Sequence, residues 1–134
     1  MTKRETIKDI LENGLFNRND DLFIKNEWLD SKGQLIFNLP NRIEGDLVCN
    51  QEMTTLKGCS EYVGGNFECI GSLITNLIGG PKHVERNYNC SRCNKLESIS
   101  GIANYIGGCL HTSHAVYKKN KYRPPGLQGG WLNN

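Results

Sequence analysis

Four segments of this chain are copies of one template, and their spacing constrains the fold more than any other feature. They are "IEGDLVC" (43–49), "VGGNFEC" (63–69), "VERNYNC" (84–90) and "IGGCLHT" (106–112). Each begins with a β-branched residue. Two variable positions follow, then a polar residue or Cys, then apolar–x–Cys or apolar–x–Thr. The first positions fall at 43, 63, 84 and 106, a period of about 21 residues. A second template lies between the copies, as "MTTLKG" (53–58), "ITNLIG" (74–79) and "LESISG" (96–101), with a shorter version, "IFNLP" (36–40), ahead of the first. Pro40, Ser60, Pro81 and Ala103 each stand three residues before a β-branched position. Three elements held in phase over successive units indicate stacked repeats, in which each unit buries its apolar face against its neighbours.

A period of 20–29 residues suits leucine-rich-type units, each supplying a short strand and a turn. Side chains alternate along a strand, so Leu47 and Cys49 share one face, as do Phe67 and Cys69, Tyr88 and Cys90, and Leu110 and Thr112. Stacking places these pairs inside one parallel sheet. The pairs Met53/Leu56, Ile74/Leu77 and Leu96/Ile99 complete the core. Gly58, Gly79 and Gly101 suit turns that need positive φ, while Gly45, Gly65 and Gly108 suit a bend into the strand. The expected fold is therefore a repeat solenoid of β-rich α+β class, a short leucine-rich-repeat-like parallel sheet with an N-terminal helix cap. Residues 1–40 make the cap. Its helix would run through "TKRETIKDILENG", with Thr2 and Glu5 at capping-box spacing, Ile7, Ile10 and Leu11 on one face and Gly14 at its end. Two short strands, "DLFI" (21–24) and "QLIF" (34–37), would follow. Residues 41–116 hold the repeats. Residues 117–134 form a basic tail in which Pro124, Pro125, Gly126, Gly129 and Gly130 disfavour regular structure. Trp131 and Leu132 could fold back over the last repeat. All 134 residues make one compact domain.

The units "LPNRIEGDLVCNQEMTTLKGCSEYVGGNFEC" and "NLIGGPKHVERNYNCSRCNKLESISG" resemble the short leucine-rich-type repeats of small bacteriophage proteins, which often begin with a short helix and strands. The likeness spans residues 1–112. It implies the architecture and a phage origin, and no particular activity. The chain departs from that pattern after the cysteine strand. Glu52 and Ser72 stand where asparagine is expected, and an additional Cys93 delays it to Asn94. No asparagine ladder is expected.

The charged N-terminus "MTKRETIKDI" lacks the apolar core of a secretory signal, and no apolar run approaches a membrane span. A cytoplasmic protein without a membrane partner is expected, with its six cysteines as thiols. Cys90 and Cys93 have C-x-x-C spacing, and Cys109 and His111 lie close enough in sequence to complete a zinc set. Cys90 is equally explained by the inward column of Cys49 and Cys69, so metal is not the favoured reading. Cys109, in outward register, is the best candidate for a reactive thiol. His83 falls in a turn and His114 follows the last strand, and no catalytic signature surrounds them. "VGGN" lacks phosphate-loop spacing and precedes a strand. Neither enzymatic activity nor a cofactor is expected.

The outward strand row is the expected site of function, because curved solenoids bind through such faces. Its candidate residues are Asp46, Val48, Asn66, Glu68, Asn87, Asn89 and His111. The expected function is non-enzymatic protein binding, with a host factor (a defence component, toxin or regulator) as the partner to be inhibited or redirected. Self-pairing into a homodimer is an alternative. In the tail, Lys118, Lys119, Lys121 and Arg123 contribute four positive charges without an acid, while the whole chain nets +2. With Tyr117 and Tyr122 between them, they could contact phosphates and stack on bases, which makes nucleic-acid binding the less favoured reading. A small zinc-binding protein is the third.

Overall fold

The computed structural model describes residues 17, 19–120 and 122–133. The helix expected between Thr2 and Gly14 lies outside them. The described chain winds into a parallel β-solenoid of about five turns with almost no helix.

Each repeat supplies two very short strands rather than the one expected. The first strands are β2 (Arg42–Ile43), β4 (Tyr62–Val63), β6 (His83–Val84) and β8 (Tyr105–Ile106). They pair in register into a four-stranded parallel sheet. The second strands are β3 (Leu47–Val48), β5 (Phe67–Glu68), β7 (Tyr88–Asn89) and β9 (Leu110–Thr112). With β1 (Leu22–Phe23) and β10 (Trp131–Asn133) they form a six-stranded parallel sheet ordered β1-β3-β5-β7-β9-β10. The β-branched residue that opens each template copy therefore has its own sheet. Ile43, Val63, Val84 and Ile106 are all fully buried.

The expected core is present except at its last pair, where Leu96 is buried but Ile99 is only half-buried. Leu47, Phe67, Tyr88 and Leu110 line one wall, Met53, Leu56, Ile74 and Leu77 the other, and all are fully buried. Phe67 and Tyr88 meet edge to face at 4.8 Å between ring centroids, a favoured aromatic geometry. Gly58, Gly79 and Gly101 adopt φ of 95°, 91° and 89°. At Gly101 an added Cβ would also lie 2.4 Å from the Ile78 backbone, so stacking and backbone conformation both demand glycine there.

Two expectations about the ends need correction. In the N-terminal part, "DLFI" does supply β1, but "QLIF" is not a strand. Leu35 makes only an isolated antiparallel bridge with Leu29, while Phe37 packs against Trp28 in the core. At the C-terminus, residues 117–134 are not an irregular tail. A short helix (His114–Lys119) is capped by Ser113, whose hydroxyl accepts the Val116 N–H. The chain then completes another turn. Pro124, Leu127, Trp131 and Asn133 repeat the spacing of Ala103, Ile106, Leu110 and Thr112, 21 residues earlier. Leu127 bridges Ile106, and Trp131–Asn133 pair with Leu110–Thr112. The repeat was hidden because Pro125, Gly126 and Gly130 stand where the preceding unit has Asn104, Tyr105 and Cys109.

Candidate binding surface

A polar residue precedes each of the strands β1, β3, β5 and β7 of the six-stranded sheet, and its side chain joins adjacent turns. Asp21 Oδ1 accepts the Asp46 N–H at 2.8 Å, and Asp46 Oδ1 accepts the Asn66 N–H at 2.6 Å. Asn66 Oδ1 accepts the Asn87 N–H at 3.0 Å, and Asn87 Oδ1 accepts the Cys109 N–H at 2.8 Å. Contrary to expectation, this is an Asp/Asn ladder, placed before the strand instead of after it. Gly65 belongs to it, since an added Cβ would lie 2.1 Å from Asp46 Oδ1. Asp46, Asn66 and Asn87, expected on the binding row, are half-buried and spend a side-chain oxygen on a neighbouring backbone. The backbone N–H of Cys109 is the last rung, and its half-buried thiol takes no part in the ladder.

The remaining outer row runs in register as Phe23, Val48, Glu68, Asn89, His111 and Leu132. Parallel strands lie about 4.8 Å apart, so the row is about 24 Å long. Phe23 and Leu132 at its ends are 59% and 46% exposed. Val48, Glu68, Asn89 and His111 between them are half-buried. Beside Phe23 and Val48 lies an open groove of about 450 Å³, which Asn26, Asn50, Gln51 and Glu52 help to line. Asn89 Oδ1 accepts from the Ser91 N–H and hydroxyl, which fixes its amide.

The four-stranded sheet carries a feature that the sequence reading missed. The Arg42 guanidinium lies 3.8 Å from the Tyr62 ring centroid, and Tyr62, His83 and Tyr105 stack at 4.8 and 4.6 Å. Glu44 binds Arg42 at 2.6 Å, and Glu85 binds His83 at 2.5 Å. His83 is thus a strand residue rather than a turn residue. The signal was available, because these four side chains each precede a β-branched position, in phase with the repeat. Neighbouring rings cover each other's faces, so the stack presents mainly ring edges to solvent.

The basic residues are divided. Lys118 and Lys119 are exposed in the short helix, and Lys121 lies outside the described residues. Arg123 donates to the carbonyls of Leu127 and Gly129, so its guanidinium fastens the final turn. The row expected to contact phosphates is therefore not a free cationic strip.

Cys69 and Cys90 occupy the expected inward column, and Cys49 is its half-buried first member. Cys93 also has a structural place. It stands in register with Ser72 of the preceding turn, with 3.5 Å between Ser72 Oγ and Cys93 Sγ. Arg92 matches Gly71, and both have positive φ, at 58° and 71°. The Cys59 thiol and burial push the Cys49 thiol up; burial, then neighbouring thiols, do the same at Cys69. Cys93 is instead drawn down to about 6, first by a hydrogen bond from Cys69. The expected alternative zinc set is not brought together: Cys90 points inward, Cys109 ends the ladder and His111 lies on the outer row. No group of three or more His, Cys, Asp or Glu among the described residues is assembled to hold a metal ion. None of the described helices is long and apolar enough to cross a membrane.

Together these features define a parallel β-solenoid repeat protein with two sheets per turn. No protein-family model matches the chain, and neither a curated protein nor a solved structure matches it.

Proposed function

We propose that this protein is a non-enzymatic binding module that recognises a protein partner with the outer face of its six-stranded sheet. The observation that carries this reading is the in-register row Phe23, Val48, Glu68, Asn89, His111 and Leu132. It places apolar Phe23, Val48 and Leu132 beside polar Glu68, Asn89 and His111 on one face, and protein interfaces combine apolar and polar contacts of both kinds. A standard interface takes about 800 Å² from each partner, roughly a tenth of the 7629 Å² surface here. The resemblance to short leucine-rich-type phage proteins supports a host protein as the partner, bound in the cytoplasm and blocked or redirected by occlusion. Nucleic-acid binding is the weaker reading, because Arg123 is occupied within the fold.

Affinity capture from candidate host cells tests the proposal. The full chain and a Glu68→Arg/His111→Glu variant serve as baits, with Lys118→Ala as a control away from the row. A specific protein retained by the wild type and the control, but lost by the row variant, is expected. Capture that the row variant leaves unchanged would overturn the assignment of this face.

A further inference from the structure

Along the four-stranded sheet, each turn offers two backbone carbonyls to the turn that follows. The carbonyls of Ile43, Val63, Val84 and Ile106 accept the N–H groups of Gly64, Glu85, Gly107 and Gln128 at 2.8–3.0 Å. The carbonyls of Gly45, Gly65, Arg86 and Gly108 accept those of Gly65, Arg86, Gly108 and Gly129 at 2.8–3.2 Å. Both series advance by one repeat at each step. Leu127 and Gly129 carry the next carbonyl of each, and no strand among the described residues lies beyond them to supply the N–H groups.

Arg123 supplies the donor instead. Its Nη2 donates to the Leu127 carbonyl at 2.9 Å and also to the Gly129 carbonyl. One guanidinium thus takes both acceptors that a further turn would take, and its planar fork holds the N–H directions fixed. The six-stranded sheet has a comparable closure, since Asn133 Nδ2 donates to the Trp131 carbonyl at 3.3 Å. The opposite end of the four-stranded sheet is complementary. Glu44 and Gly45 hold the positions that Gly64 and Gly65 hold one repeat later, and neither N–H has a backbone acceptor among the described residues. β2 is the edge strand there. One end of the sheet therefore presents two donors, and the other presents two acceptors that Arg123 occupies.

We propose that Arg123 is the stop of this solenoid: it shuts a sheet edge to which a second copy of the chain would otherwise add, head to tail. Glu44 and Gly45 of the second copy bring the donors, in the register that every internal junction uses. Such a contact joins unlike surfaces, so it does not close on itself and adds copy upon copy. Unpaired sheet edges carry this hazard, and proteins blunt them with charged side chains. Arg123 does so by direct occupation of the acceptors. The edge is separate from the outer face of the six-stranded sheet, so the inference stands apart from what that face binds.

The test is sedimentation velocity of the full chain and its Arg123→Ala variant over a concentration series. The wild type should keep one mass throughout. The variant's mass should rise with concentration, by more than about twofold at the top of the series, because head-to-tail addition has no closed end point. Amide hydrogen exchange at Glu44 and Gly45 should be slower in the associated variant than in the wild type, since those N–H groups become paired. Fraying of the last turn in the variant does not remove the expectation. Ile106 and Gly108 then present the same two acceptors with no guanidinium over them. A variant that keeps the wild-type mass, a wild type that grows to the same extent, or growth that leaves exchange at Glu44 and Gly45 unchanged would overturn the proposal.

Discussion

Asn66 gives its side-chain oxygen to the Asn87 N–H and its own N–H to the Asp46 carboxylate, so one residue joins three turns. Removing the acceptor leaves a half-buried N–H without its partner, and such groups are costly to strand. Asn66→Ala should therefore lower the unfolding free energy by about 1–2 kcal/mol, and Asn66→Asp by clearly less, as read by urea denaturation. Tyr88 presents the opposite case. Its hydroxyl is buried and has no hydrogen-bond partner, and burial pushes its phenol well above the ordinary range. Tyr88→Phe removes an unpaired polar atom and keeps the edge-to-face packing on Phe67. It should be neutral or stabilising by up to about 1 kcal/mol in the same assay. Phe67→Ala should cost about 3–5 kcal/mol, the usual loss for a buried aromatic. The inward direction of Phe67 was legible from alternation alone. The ladder was not, because polar residues before a strand read equally well as solvent-facing.

Among elements, the C-terminal strand departs most from expectation. Trp131 donates its Nε1–H to Thr112 Oγ1 at 2.8 Å and meets Tyr117 edge-on at 5.1 Å. Both contacts reach back one turn and hold β10 against β9. Trp131→Ala should cost about 2–4 kcal/mol, measured by thermal unfolding, through lost apolar contact and a lost hydrogen bond. An irregular tail would show almost no effect. The spacing that places Leu127 and Trp131 in the repeat was present in the sequence. It was masked because the unit lacks cysteine and carries Pro124, Pro125 and Gly126, which locally read as breakers. The short helix between the last two turns displaces nothing, since Val116 alone turns inward while Lys118 and Lys119 stay in solvent.

At the scale of the whole molecule, each turn touches only its neighbours, and stability is shared along a one-dimensional stack. β10 has one strand neighbour, whereas β5 and β7 have two each. Amide hydrogen exchange should therefore be slowest at Phe67 and Tyr88 and much faster at Trp131–Asn133, with fraying from the C-terminal turn inward. Uniform protection across the six-stranded sheet would contradict this gradient. The sequence by itself determined the period, the inward columns from Leu47 to Leu110 and the turn glycines, because alternation and backbone sign are local properties repeated in every unit. Only the tertiary structure decided the rest. It turned Asp46, Asn66 and Asn87 into rungs, stacked Tyr62 on His83 and Tyr105, gave each repeat a second strand and set Cys93 against Cys69. These contacts all join residues about 21 positions apart. Their geometry depends on how far each bend rotates one turn upon the next, and the pattern of apolar and polar residues does not encode that rotation.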